Sequence, residues 1–253
     1  MFKYLKENQV GIITLNRPEK RNALNPELIN QLKVKLNEIK NDSDVRVLIL
    51  TGEGKSFCAG ADLEYLNKVK DYSVIDNEKD SESLAELFFE IYNFPIPTIA
   101  AVNGAAIAGG CGLASVCDFI VAEKNNAKFG YSEVKIGFIP AIVSIFLIKK
   151  IGEGKAKQFL LTGDIVDSEK AYSICLVDYL TDDVLTESKD LAVRLISNSD
   201  SSMKLTKKMI ADISDLSVKD AIAYCVRLNV ISRSSYDFKK GIENFLLKSK
   251  DQK

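Results

Sequence analysis

Residues 97–118 read PTIAAVNGAAIAGGCGLASVCD, and the fold follows from this stretch. The apolar run from Thr98 to Val102 predicts a buried strand that meets a turn at Asn103-Gly104. Small residues follow and lead into an apolar helix. Gly109, Gly110 and Gly112 leave the main chain open to a ligand. A helix N-terminus adds free N–H donors and a partial positive charge. An upstream segment at 51–63, TGEGKSFCAGADL, has the same character: a strand, a Gly-rich loop and a helix start. One N–H from each loop, aimed at one point, makes an oxyanion hole. Taken singly, each loop is an ordinary tight strand-to-helix turn.

Outward from these loops the chain alternates strand and helix signals. Val10–Leu15 is a short apolar strand. Asn25 caps a helix with Pro26 at its first position and Leu28, Leu32, Leu36 and Ile39 as its core stripe. The continuous run VRVLILT at 45–51 predicts a strand buried on both faces. Residues 68–80 are charged and read as an irregular rim, with a helix from 83 to 92 stopped by the two prolines of FPIP. Short strands at 119–122 and 128–130 precede a tail dominated by helices. Sheet first and helices last, with no Pro- or Ser-rich linker, predicts an α/β core and a helical extension.

Composition narrows the chemistry. The 253 residues suffice for one substantial core, and a formal charge of -1 argues against a nucleic-acid surface. No apolar run reaches membrane-spanning length, and the N-terminus shows no signal-peptide pattern, so the cytoplasm is the expected location. Cys58, Cys111, Cys117, Cys175 and Cys225 form no CxxC pair and read as reduced packing residues. Histidine is absent altogether. That excludes Ser-His-Asp and Cys-His catalysis, His-ligated zinc and the imidazole proton shuttle. Acid–base work falls to a carboxylate, Lys, Tyr or Cys, and an enolate mechanism needs only a carboxylate and backbone donors.

Several segments together, in order along the chain, resemble the crotonase (enoyl-CoA hydratase/isomerase) family. They are LNRPEKRNALN (15–25), FCAGADL (57–63), 100–118, FGYSEVKIG (129–137), LTGD (161–164), Ala171 with Leu176-Val177-Asp178, and the tail 238–248. The resemblance implies an α/β fold, the ClpP/crotonase right-handed spiral of ββα repeats. It implies a core with the acyl-CoA site over 1–198 and a C-terminal helical trimerisation region over 199–253. A homotrimer or homohexamer acting on an acyl-CoA thioester is the expected assembly. Coenzyme A is part of the substrate, and no separate cofactor, metal, nucleic acid or membrane is expected.

Carried over residue by residue, the resemblance puts the oxyanion donors at Ala61 and Gly109 and the catalytic acid–base at Glu133. Burial beside Val134, Ile136 and Phe138 is expected to raise the Glu133 pKa. Hydratases of the family carry a second glutamate where this chain has Gly112. The segment SEVKIGFIPAIVS (132–144) together with Gly112 resembles a methylglutaconyl-CoA hydratase-like branch, in which one carboxylate serves both proton transfers. A Δ3-Δ2-enoyl-CoA isomerase and an acyl-CoA decarboxylase or other lyase are the alternatives, and Gly112 is expected to leave room for a branched or carboxylated acyl group. The resemblance also implies that Ala59, Ala61 and Leu63 offer backbone groups to adenine and pantetheine. Arg17, Lys20 and Arg21 meet the phosphates, and Lys248 reaches a neighbour's CoA. Asp62 supports its loop, and Gly110 belongs to the substrate-binding glycines. An inactive scaffold or RNA-binding relative is the alternative of another class; the charge balance and intact Ala61, Gly109 and Glu133 speak against it.

Overall fold

The computed structural model describes residues 1–250, with side chains through Leu247. β1 (Phe2–Glu7) and β2 (Val10–Leu15) form an antiparallel hairpin. α1 (Pro26–Lys40) starts as its cap dictates: Leu28 N–H donates to the Asn25 side chain, and Leu28, Ile29, Leu32, Leu36 and Ile39 are buried.

The chain then repeats one unit, two strands followed by helix. β3 (Val47–Gly52) and β4 (Ser56–Cys58) precede α2 (Leu63–Val69) and α3 (Val74–Tyr92). β5 (Thr98–Val102) and β6 (Ala105–Ile107) precede α4 (Gly109–Ser115). β7 (Phe119–Glu123) and β8 (Lys128–Gly130) precede a 3-10 turn (Glu133–Ile136), α5 (Ala141–Ile151) and α6 (Glu153–Thr162). β9 (Ile165–Asp167), α7 (Ser168–Ser173), β10 (Tyr179–Thr181) and α8 (Val184–Ile196) close the core, and α9 (Asp200–Ile213), α10 (Val218–Ser234) and α11 (Tyr236–Lys250) follow. The first strand of each unit joins a six-stranded sheet, β1-β2-β3-β5-β7-β10, and the second joins a smaller one, β4-β6-β8-β9. This is the ββα spiral expected from the sequence.

Side-chain alternation along the larger sheet explains why β3 reads as unbroken apolar sequence. Leu48, Leu50, Ala100, Val102 and Ile120 pack in the core under α1, α3 and α4. Val47, Ile49, Ile99, Ala101 and Val121 face the other way, against Val184, Leu191 and Ala192 of α8. Asp118, the last residue of the 97–118 stretch, fastens α9 to the sheet. Its Oδ2 accepts from Thr98 N–H (2.7 Å) and Lys207 Nζ (2.6 Å).

Residues 68–80 are not irregular. They hold the end of α2 and the first turns of α3, which begins at Val74 rather than 83 under a Ser73 cap accepting from Asp76 N–H. Only the last third of α3 reaches the core, through Leu87, Phe88 and Ile91. Its first turns bury no residue and meet α2 through polar contacts such as Tyr65 O–H on Asp80, so no apolar periodicity marks them. Among the described residues no helix is long and apolar enough to cross a membrane.

Candidate active site

Strand order in the small sheet assembles the site. β4, β6 and β8 lie side by side in parallel, with Cys58 opposite Ala106 and Ile107 opposite Gly130. Their C-terminal ends therefore release three neighbouring segments, 59–62, 108–109 and 131–133, the usual place for a ligand in parallel sheet. The segments carrying Ala61, Gly109 and Glu133 leave neighbouring strands for this reason, although they are far apart in sequence.

Leu24 N–H donates to Gly60 O (2.7 Å), and Asp62 N–H donates to Leu24 O (2.9 Å). Parallel pairing of this kind uses the peptide groups flanking Ala61 and leaves its own N–H on the opposite side. Gly60 has φ +87, and a Cβ there would lie 3.3 Å from Gly109 N and 2.8 Å from Ile107 O. The two loops thus abut at Gly60 with no space for a side chain.

The second loop turns through Ala108, whose φ of 52 and ψ of -124 are costly for a residue with a Cβ. Its N–H is held by Gly130 O at 2.7 Å. The kink starts α4 at Gly109, whose N–H has no intrahelical acceptor; helical bonding begins with Gly112 N–H on Ala108 O (3.0 Å). Gly110 is fixed by packing, since a Cβ would sit 1.9 Å from Cys58 O.

Glu133 opens the 3-10 turn and is 8% exposed. Its Oε2 is buried with no hydrogen-bond partner. Burial raises the carboxyl above its ordinary value, partly offset by its own backbone N–H, and no charged side chain acts on it among the described residues. The burial does not come from Ile136 and Phe138, as expected from sequence; both are more than half exposed. The 3-10 turn swings them outward, and Glu133 points in toward α4, close enough to act on the buried Cys111 thiol. Glu133 is thus a buried carboxyl with one unpartnered oxygen, on the segment next to two loops whose Ala61 and Gly109 N–H groups have no acceptor among the described residues. A separate cavity of about 690 Å³ lies between α9 and Asp118, lined by no residue of these loops, and its acid is already paired with Lys207.

The profile of the Enoyl-CoA hydratase/isomerase family matches residues 5–252. The chain belongs to the enoyl-CoA hydratase/isomerase family. A relative from Thermus thermophilus is 39% identical over 246 residues, covering 96% of this chain and 97% of that protein. The short-chain-enoyl-CoA hydratase of Clostridium acetobutylicum is 34% identical over 223 residues, 87% of this chain and 84% of the relative. The crystal structure of an enoyl-CoA hydratase from Shewanella pealeana superposes with a TM-score of 0.93 at 29% identity, covering 98% of this chain and 93% of that one.

For this enoyl-CoA hydratase/isomerase family member the residues expected around coenzyme A divide. Arg17 is not available to a phosphate: its guanidinium donates to Asp62 Oδ2 (2.8 Å) and Ala23 O (2.5 Å), and both members of the pair are nearly buried. Burial alone would raise the Asp62 carboxyl; Arg17 and the Glu64 and Tyr65 N–H groups bring it below its ordinary value. Asp62 also caps α2 through Glu64 N–H. Lys20 pairs with Glu64 at the surface, and exposed Arg21 has no ion-pair partner among the described residues. Ala59 N–H is taken by Arg21 O, which leaves its carbonyl for a ligand. Leu63 is exposed at the start of α2. The side chain of Lys248 lies outside those described.

Gly112 packs against α5 instead of facing the open space expected for an acyl branch. A Cβ there would lie 2.3 Å from Val143 Cγ1 and 3.1 Å from Phe88 Cε2, so α5 already fills the space. Val143 stood inside the SEVKIGFIPAIVS segment, yet its contact with Gly112 depends on how α5 packs on α4. Leu24, which stitches the Ala61 loop, was likewise visible only as part of a motif.

Proposed function

We propose that the chain is an enoyl-CoA hydratase adding water across the double bond of a 2-enoyl-CoA. The observation that carries this reading is the partnerless, buried Glu133 Oε2 beside the unused N–H groups of Ala61 and Gly109. In the forward direction the Glu133 carboxylate takes a proton from water, and the water oxygen bonds to the β-carbon. The π electrons move to the thioester oxygen, where the two N–H groups hold the enolate. Each such donor contributes about 2.7–4 kcal/mol. The enolate then collapses, and its α-carbon takes the proton from the Glu133 carboxyl, so one carboxyl group completes the cycle. The raised carboxyl suits both roles. Coenzyme A enters as part of the substrate, with Lys20 and Arg21 as the cations for its phosphates.

A short, uncharged acyl group fits best. Among the described residues no cation acts on Glu133, so a carboxylated acyl chain would bring a second negative charge without a partner there. The name of the Clostridium relative agrees with a short chain. The lone carboxylate favours a second reading, Δ3-Δ2-enoyl-CoA isomerisation, which moves one proton between carbons and needs one base. Purified protein assayed with crotonyl-CoA, 3-methylglutaconyl-CoA and a 3-enoyl-CoA separates these. Crotonyl-CoA hydration is expected to be fastest; activity confined to the 3-enoyl-CoA would replace hydratase by isomerase.

We also propose that 199–253 assembles the chain into a homotrimer or a pair of trimers. Val218, Ile222, Val226 and Val230 recur at a spacing of four along α10 and are all more than half exposed, a stripe that water disfavours. The five cysteines, all free thiols, fit the reducing cytoplasm.

A further inference from the structure

Behind the two reacting groups lies a buried polar chain that the catalytic account does not use. Ser115 Oγ donates to Cys111 O at 2.8 Å, one turn back along α4. It also lies 3.1 Å from the hydroxyl of Tyr131. Ser115 has a single proton and has given it to Cys111 O, so Tyr131 O–H is the donor of the second bond. The order is therefore Tyr131 O–H to Ser115 Oγ, and Ser115 O–H to Cys111 O. Tyr131 has 0% exposure and Ser115 5%. The bond joins the helix that begins with the Gly109 N–H to the segment that ends, two residues later, at Glu133. Ala108 N–H on Gly130 O crosses the same seam, as do the contacts of the Cys111 thiol with Tyr131 and the Gly130 backbone.

We propose that Tyr131 is a positioning residue: its hydrogen bond to Ser115 sets the Glu133 carboxyl in register with the Gly109 oxyanion donor. This rests on the hydratase reading above. Two observations separate the pair from ordinary core filling. Phenylalanine would fill the same apolar pocket, edge-on to Phe159 with centroids 6.2 Å apart, without a buried hydroxyl to satisfy. The bond also spans the two segments whose relative position sets proton transfer, where a misplacement of about 1 Å can cost 10²-fold in rate. The titratable groups facing Glu133 are the Cys111 thiol on α4 and the Tyr131 phenol after β8, both held neutral by burial. Glu133 thus depends on packing alone for its raised pKa.

Tyr131→Phe removes the bond and leaves Ser115 bonded to Cys111 O. With crotonyl-CoA the expected result is a fall in kcat of about tenfold, with KM within about twofold. The acid limb of the kcat profile is expected to move to lower pH as water reaches Glu133. Ser115→Ala leaves the buried Tyr131 hydroxyl only the weak Cys111 thiol as partner and is expected to cost more stability. The Ser115→Ala/Tyr131→Phe double variant, which strands nothing, is expected to match the single Tyr131→Phe variant in kcat. An active wild type with a Tyr131→Phe variant equal to it in kcat and in pH profile would overturn the inference alone. A wild type inactive on every 2-enoyl-CoA would overturn the hydratase reading and the inference together.

Discussion

At the scale of single residues, the site exchanges stability for reactivity at Glu133. Its carboxyl is buried, unpaired on one oxygen and raised above 4.5, the ordinary value. Folding therefore favours the protonated form. The stability from that preference is full below about pH 4.5 and is lost as pH rises through the raised value. Glu133→Gln removes the charge and keeps the shape. The variant is expected to match wild type in urea at pH 4 and to unfold at a higher urea midpoint at pH 8. Equal midpoints at both pH values would mean that burial does not act on this carboxyl. Activity follows the opposite sign, because the base must be ionised, so kcat is expected to fall as pH drops through the same raised pKa.

Elements decide which residues are free to work. Arg17 read as a phosphate ligand because an arginine in a loop is normally solvated. Its pairing with Asp62 arises only when the 15–25 segment lies against the β4–α2 loop. Arg17→Met is expected to cost about 3–5 kcal/mol, the penalty of leaving a buried partner charge alone. Chemical denaturation measures this loss, and KM for the acyl-CoA should change little at temperatures where the variant is folded. A large rise in KM with unchanged stability would return Arg17 to the phosphates. At Gly112 the limiting contact is Val143. Gly112→Ala is expected to destabilise by about 1–3 kcal/mol through overpacking. The same change in a Val143→Ala background should cost clearly less, and an equal cost in both backgrounds would dissociate the pair.

The strands and caps were legible because each depends on residues close in sequence: Asn25-Pro26, the apolar 98–102 run, the glycines of both loops. The two Gly-rich loops proposed to hold the oxyanion were legible for the same reason. The start of α3 was not, since a helix turn that buries no apolar residue carries no apolar period. Nor were the Arg17–Asp62, Gly112–Val143 and Ser115–Tyr131 contacts, each set by how distant elements pack.

On the scale of the whole molecule, the smaller sheet carries the segments proposed for the chemistry, and the larger one is buried on both faces. Two buried faces hold β3, β5 and β7, and each passes its chain directly to a short strand ending at the site. The C-terminal helices stand apart from this frame: α9 and α10 bury no residue, and α9 is fastened through Lys207 and Asp118. Light scattering on the purified protein is expected to give three or six times the 28.0 kDa chain mass. Val226→Glu, in the middle of the α10 stripe, is expected to lower that mass. A monomer in the wild type would leave the stripe to another partner.

The most direct test of the central claim is the hydration rate of crotonyl-CoA, followed by loss of its conjugated-thioester absorbance, for wild type and Glu133→Gln side by side. The account predicts steady hydration by wild type and a kcat about 10²–10⁴ lower in the variant, with acyl-CoA binding retained. Hydration by the variant at the wild-type rate would contradict it.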